Sequence, residues 1–331
     1  MHPIDGQIRE LRASGKNWSE IGDAVGLSRE AARRRYQRQA VVPESETSAD
    51  VDKSRGIVTP APIVCDLPPL AEKKSGNLVK AVLYSDSHFP YHDPATLAIV
   101  AKVTQDVRPD ILVHVGDLLD CYALSRFDKD PERMGSLQSE INLGAQHLGE
   151  MARLAPNARR VYKEGNHEDR LRKILWSLPQ QASALTRLTN VRHALTWPAL
   201  LRLDLSGWEF DPYQGQTGEG LLPKMLVRHG TVVRKWSGAS ARGEWEHAGH
   251  SGASGHVHRL GFFMHRKHDG GAHFWCETGC TCTIDPEYMT FPDWQQGFCV
   301  ITCDKKTGAF QCEPVYVRRG FAIYRDAEYR A

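Results

Sequence analysis

The sequence predicts an α/β protein with a small helical module in front of it. Three observations predict this. Between residues 77 and 260, short apolar runs that stop abruptly at polar residues alternate with stretches of helical period. Each apolar run is followed within two residues by Asp, Asn, His or Gly. The first 40 residues carry helix punctuation instead.

A chain of 331 residues has room for one large domain, or for a main domain and a small one. Hydrophobic residues make up 41% and charged residues 25%, an ordinary soluble composition. The net charge of +2 excludes a global polycation, so any nucleic-acid affinity must come from local patches. No apolar run reaches the roughly 18 residues a membrane span needs. The opening Met-His-Pro-Ile-Asp-Gly lacks the layout of a signal peptide. A cytoplasmic protein without a membrane partner is expected, with its eight cysteines mostly free thiols. Cys276, Cys280 and Cys282 fall close together but lack the paired spacing of a structural zinc site, and read as small buried strand residues.

Composition divides the chain into residues 1–40, a Pro-rich linker over 41–76 with few aromatics, and a main domain over 77–331. In the first region Ile8 and Leu11 share a helical face, and Gly15 breaks that helix. Asn17, with Glu20 three residues later, reads as a capping box for a second helix whose Trp18, Ile21 and Val25 share a face. Gly26 allows a tight turn, and Ser28 caps an expected third helix with Ala31, Ala32 and Tyr36 inward. Arg29, Arg33, Arg34 and Arg38 lie on its more exposed side. Trp18 to Ser28 resembles the helix-turn-helix DNA-binding family, in which the last helix enters the major groove. Residues 1–40 hold eight Lys/Arg against five Asp/Glu, +3, leaving about −1 for the rest. A DNA partner bound through those four arginines is the expectation, against a helical bundle that simply docks on the main domain or on a partner.

In the main domain, strands are expected at Val79–Tyr84, Ile111–Val115 and Arg160–Lys163, with helices over 94–106 and 136–154. Phe262–His265 and His273–Cys276 flank Asp269-Gly270-Gly271, a hairpin signal, and Phe298–Thr302 and Phe310–Val317 read as antiparallel strands. Metal-ligand residue types sit at the ends of the apolar runs: Asp86-Ser87-His88, Gly116-Asp117-Leu118-Leu119-Asp120, Gly165-Asn166-His167-Glu168, His229-Gly230 and Gly255-His256-Val257-His258. Ligands of open α/β sheets collect at the carboxyl ends of strands, so five such ends would build one site. A lone Asp-x-His carries little information; five pieces in order, with Gly directly before Asp117, Asn166 and His256, carry a great deal.

This set resembles the calcineurin-like metallophosphoesterase superfamily over roughly residues 80–260. The resemblance implies a β-sandwich flanked by helices and two divalent metal ions. Asp86, His88 and His258 would hold one ion, Asn166, His229 and His256 the other, and Asp117 would bridge them. Mixed oxygen and imidazole donors suit Mn²⁺, Fe or Zn²⁺ better than Ca²⁺, with Mn²⁺ the expected ion. It further implies His167 as the group assisting the leaving oxygen, oriented by Asp120. Protein phosphatases of this superfamily carry Arg-Gly after the second Asp; here Asp120 is followed by Cys121-Tyr122, which argues against that branch.

The spacing of 63 positions from Asn166 to His229 leaves room for a cap insertion at about 170–223. It holds Trp176, Trp197 and Trp208 among Arg170, Arg172, Lys173, Arg187 and Arg192, a mixture that either grips a nucleic-acid strand or packs as an ordinary amphipathic cap. The front module and Trp294-Gln295-Gln296-Gly297-Phe298 give the chain a likeness to phage-encoded members, which places it in a bacterial or phage-infected cell. The leading expectation is a DNA nuclease. The alternatives are a phosphatase or phosphodiesterase acting on a small molecule or nucleotide, and a DNA-binding regulator without turnover.

Overall fold

The structure is a computed structural model describing residues 3–29, 31–32, 76–126, 135–213, 221–266, 268, 270–284 and 292–331. The chain divides into two units, Met1–Ala71 and Glu72–Ala331.

In the first unit, α1 spans Pro3–Ala13 and α2 spans Trp18–Val25. The capping box forms: Asn17 Oδ1 accepts from the Ser19 and Glu20 amides at 3.0 and 3.1 Å, and Glu20 Oε2 accepts from the Asn17 amide at 2.8 Å. Gly26 ends the helix at φ 68°, in the left-handed region. Ile8, Ile21 and Ala32 form a small core with Leu11, Trp18, Val25 and Leu27 packed on it. Ser28 Oγ accepts from the Ala31 amide at 3.3 Å, as a cap would. Two helices do not establish a helix-turn-helix domain. Tyr36, Arg33, Arg34 and Arg38 lie outside the described residues, and Arg29 is exposed.

In the second unit a six-stranded sheet runs in the order β10-β9-β1-β2-β3-β4 and a four-stranded sheet in the order β5-β6-β8-β7. The strands are β1 Leu78–Tyr84, β2 Ile111–His114, β3 Arg159–Lys163, β4 Glu209–Asp211, β5 Met225–Arg228, β6 Ser251–Ser254, β7 Leu260–Arg266, β8 Ala272–Thr278, β9 Gly297–Asp304 and β10 Phe310–Tyr316. A hairpin of β11 (Phe321–Tyr324) and β12 (Ala327–Arg330) follows. Strands β1 to β4 are mutually parallel, and so are β5, β6 and β8. Strand β1 is apolar apart from Lys80 because both of its faces are covered from Ala81 onward. Val79, Ala81 and Leu83 enter a core shared with Val227, Ala253, Phe274 and Cys276 of the second sheet, while Val82 and Tyr84 point into the core under the helices. The two sheets therefore pack face to face.

The helix-side core takes Leu97, Ile99, Val100 and Val103 from α3 (Pro94–Val107) and Ile141, Leu148 and Met151 from α4 (Leu137–Leu154). The 170–223 segment opens with five helices: α5 (Asp169–Ser177), α6 (Gln180–Thr186), α7 (Thr189–Ala194), α8 (Trp197–Leu200) and α9 (Leu203–Ser206). It packs closely on the rest of this unit. Trp197, Leu201, Leu203 and Trp208 belong to the main core, and β4 extends the six-stranded sheet beside β3. Helix α10 (Ala239–Ala248) lies on β6, β7 and β8 of the second sheet.

Candidate metal centre

Parallel pairing of β1, β2 and β3 brings their carboxyl ends to one side. Their loops are stitched together: the Asp86 amide donates to Gly116 O at 3.0 Å, and the His88 amide to Asp117 O at 3.0 Å. The second sheet reaches the same place through β5 and β6. His229 Nδ1 donates to Val115 O at 2.8 Å, and the His256 amide donates to both oxygens of Asp86 at 3.0 and 3.1 Å. The site thus lies across the two sheets, and all five sequence pieces meet there.

The backbone is strained where it delivers these side chains. Asp86, His88, Asp117, His256 and His258 all have positive φ, between 49° and 72°. Such a conformation costs on the order of 1 kcal/mol or more for a residue with a Cβ. Gly165 explains one tight approach: a Cβ there would collide with the side chain and amide of Asp117.

Two donor groups result. In one, His258 Nε2 lies 3.3 Å from Asp86 Oδ1 and 3.0 Å from His88 Nε2. In the other, Asp117 is grouped with His229 and His256, and His229 Nε2 lies 3.2 Å from Asp117 Oδ2 and 2.9 Å from Asn166 Oδ1. Asp117 divides its oxygens. Oδ1 accepts from the His167 amide at 3.0 Å, while Oδ2 faces His229 and lies 3.8 Å from His88 Nε2, between the groups. The donors fit a pair of cations. His229 uses Nδ1 on a carbonyl and His88 has Nδ1 3.1 Å from Asp120 Oδ1, so in both rings Nε2 is the atom turned inward among the carboxylates.

The electrostatics follow from that crowding. Burial pulls the His229 imidazolium down, yet the carboxylate of Asp117 and its hydrogen bond outweigh burial and raise it to about 9. Burial and the neighbouring His229 push His256 down to about 4. Burial opposes the ionised form of Asp117, but His229, His167 and His88 hold it well below the usual carboxylate range.

His167 sits beside His88 with ring centroids 4.5 Å apart. Its Nδ1 donates to the backbone carbonyl of Asp120 at 2.7 Å and lies 3.3 Å from the Asp120 carboxylate. Residue 120 therefore positions His167, mostly through its main chain, while its carboxylate also serves His88.

Two groups were missed by sequence reasoning. Arg170, on the first turn of α5, donates to Asp120 O at 2.8 Å and to His167 Nε2 at 3.0 Å. The available signal was its position three residues after His167 at a helix start. Glu168 is fully buried and accepts from the Gly165, Leu119 and Asp117 amides at 2.9, 2.8 and 3.2 Å, which ties the second loop to the third. Burial and Asp117 raise its carboxyl to about 7. Its carbonyl accepts from Trp197 Nε1 at 2.9 Å.

Cys276, Cys280 and Cys282 do not form one cluster. Cys276 groups with Cys299 and Cys312 between the sheets, whereas Cys280 and Cys282 flank His258. Of the three tryptophans, Trp197 and Trp208 are core and Trp176 is 68% exposed. No helix among the described residues is long and apolar enough to cross a membrane.

No known protein-family profile matches the chain. The Gene 54 protein of Mycobacterium phage L5 is 27% identical over 237 residues, 68% of this chain and 89% of that protein. The Gene 54 protein of Mycobacterium phage D29 is 29% identical over 240 residues, again 68% and 89%. Among solved structures, the phosphoesterase Yfce from E. coli is similar at 13% identity and a TM-score of 0.32, covering 72% of this chain and 100% of that one. Vacuolar Protein Sorting 29 from Cryptosporidium parvum is similar at 13% identity and a TM-score of 0.37, covering 77% and 99%. At such TM-scores these likenesses add nothing to the strand order itself.

Proposed function

We propose that the protein is a two-metal phosphoesterase that hydrolyses phosphodiester bonds, with DNA as its substrate. The observation that supports this reading best is the convergence of Asp86, His88, Asp117, Asn166, His229, His256 and His258 from five strand ends, with bare nitrogen and oxygen donors facing one another. Asp86, His88 and His258 would hold one divalent cation, Asn166, His229 and His256 the other, and Asp117, lying between the two groups, would serve both. Mn²⁺ suits this donor set, as do Fe and Zn²⁺. Bound there, the ions supply Lewis-acid polarisation of the phosphoryl group and a lowered pKa for water.

The chain's own groups position the ester. Arg170 can only donate, so in its contact with His167 the Nε2 atom is the acceptor. A phosphate arriving between them takes over the guanidinium donors and frees His167 Nε2 to take up a proton from solvent and face the leaving oxygen. Burial disfavours the protonated form of His167, but Asp117 and Asp120 more than offset it, which suits a proton donor. Asp120 is a positioning residue, holding the other ring nitrogen. DNA is favoured as substrate by the +3 carried in residues 1–40, Arg29 included, which would raise the local concentration of phosphodiesters.

The test is hydrolysis of bis-p-nitrophenyl phosphate and of labelled single- and double-stranded DNA with Mn²⁺, by the full chain and by Asp117→Asn. Turnover of all substrates with a loss on the order of 10³-fold in the variant is expected. Turnover of the small diester alone removes DNA as the substrate, and no turnover of either favours a DNA-binding regulator. Deleting residues 1–40 should weaken DNA binding and flatten its salt dependence.

A further inference from the structure

We infer that the cavity bordered by α5, α6, α7 and α8 seats a nucleotide of a single-stranded segment whose scissile phosphate lies at the metal centre. The inference rests on the phosphodiesterase reading above and names the form of substrate it takes. The cavity measures about 570 Å³, within the usual range for pockets holding small organic groups. Three arginines line it: Arg172, Arg187 and Arg192.

Their charges are not equally available. Asp169, buried, is the ion-pair partner of both Arg172 (2.5 Å) and Lys173 (2.9 Å), so Arg172 is already committed. Its guanidinium also lies over the ring of Trp176 at 4.1 Å. The Arg187 guanidinium bonds only a carbonyl, Ser183 O, at 3.4 Å, and the Arg192 guanidinium makes no hydrogen bond or ion pair with any described residue. The single acid in the lining, Glu164, accepts from the Tyr213 amide at 2.9 Å, and burial favours its neutral form. Two uncompensated guanidinium groups therefore border a cavity whose walls are otherwise largely apolar, which is the combination a phosphate and a base require. Trp176 stands on the rim, 68% exposed, and is held upright by Arg172 on one side. An indole kept in water by a structural guanidinium is a stacking platform rather than a core residue.

Helix α5 links the cavity to the metal centre: Arg170 in its first turn touches His167, and Arg172, Leu175 and Trp176 further along it line the cavity. A base inside a duplex cannot present its face to a side-chain wall, so the occupant is unpaired.

The experiment compares the full-length protein with an Arg187→Ala/Arg192→Ala double variant and with Trp176→Ala. Kinetics with Mn²⁺ are measured on bis-p-nitrophenyl phosphate, on a single-stranded oligonucleotide and on a duplex of the same sequence. The small diester fills only the metal centre, so its kcat/KM should change less than twofold. KM for the single strand should rise roughly tenfold or more in both variants. Unchanged single-strand KM, or an equal loss on the small diester, overturns the inference. If the wild type hydrolyses nothing, the phosphodiesterase reading fails by itself. Fluorescence anisotropy with the same oligonucleotide then decides the pocket: weaker binding by both variants sustains it and equal binding overturns it.

Discussion

His88 and His258 face each other through their Nε2 atoms at 3.0 Å, and His258 Nε2 stands 3.3 Å from the carboxylate of Asp86. Two imidazole lone pairs at that separation repel unless a proton or a cation lies between them. Without metal, protons must take this place, and Asp86 supports one on His258 as Asp117 supports one on His229.

Metal uptake should therefore release protons. His229 is raised to about 9, so it is largely protonated at neutral pH in the metal-free protein. Mn²⁺ affinity should rise with pH up to about 9, by up to about tenfold per pH unit for each proton displaced, and level off above it. Calorimetric titration in buffers of different ionisation enthalpy measures the proton count directly. An affinity flat between pH 6.5 and 9 would contradict the assignment.

Gly165→Ala should abolish metal binding while leaving the sheets folded. The added Cβ collides with Asp117, the residue placed between the two donor groups. Bound metal measured after desalting should fall from two ions toward none, with the far-ultraviolet circular dichroism unchanged. Two ions retained would show that the third loop can yield without cost.

Glu140 gives a pH-dependent stability. It is 1% exposed, and its carboxyl accepts from the Cys121 amide at 2.7 Å. Burial, helped by the charge on Asp120, raises its pKa from 4.5 to about 7. A raised carboxyl favours the fold in its protonated form, so this contribution is complete below about pH 4.5 and disappears as pH climbs through about 7. Glu140→Gln should flatten the Tm profile across that window. Parallel profiles for the two proteins would refute it.

Trp197→Phe keeps the packing and deletes the donor to the Glu168 carbonyl. A loss of about 1 kcal/mol in urea denaturation is expected, because the carbonyl keeps the Leu171 amide at 3.0 Å and loses only its second donor. A fall in kcat/KM should accompany it, since Glu168 holds the amides of Asp117 and Gly165. A stability loss with unchanged kcat/KM would confine Trp197 to the core.

Much of this was legible in the chain. The apolar runs before Asp86, Asp117 and Asn166 became β1, β2 and β3 within a residue or two, and the expected helices became Pro94–Val107 and Leu137–Leu154. The pairing of two sheets was not legible, because periodicity reports how many faces of a strand are buried and not which strand covers them. Strand β4 was invisible at three residues. The fates of Trp176, Trp197 and Trp208 differ only in tertiary surroundings, and so do those of Cys276 and Cys280. Arg170 was read as part of a cap, although the helix start places it on His167.

The positive φ values at Asp86, His88, Asp117, His256 and His258 bear on how quickly the centre can load. At on the order of 1 kcal/mol each, their sum is comparable to a large share of the net stability of an ordinary domain. Those conformations are fixed by hydrogen bonds the chain makes to itself, among them the Asp86 amide to Gly116 O, the His88 amide to Asp117 O and the His256 amide to Asp86. Filling the centre then requires no loop to be gathered from a flexible population. Its rate should be set by ion dehydration and by the departure of protons, and it should be insensitive to solvent viscosity.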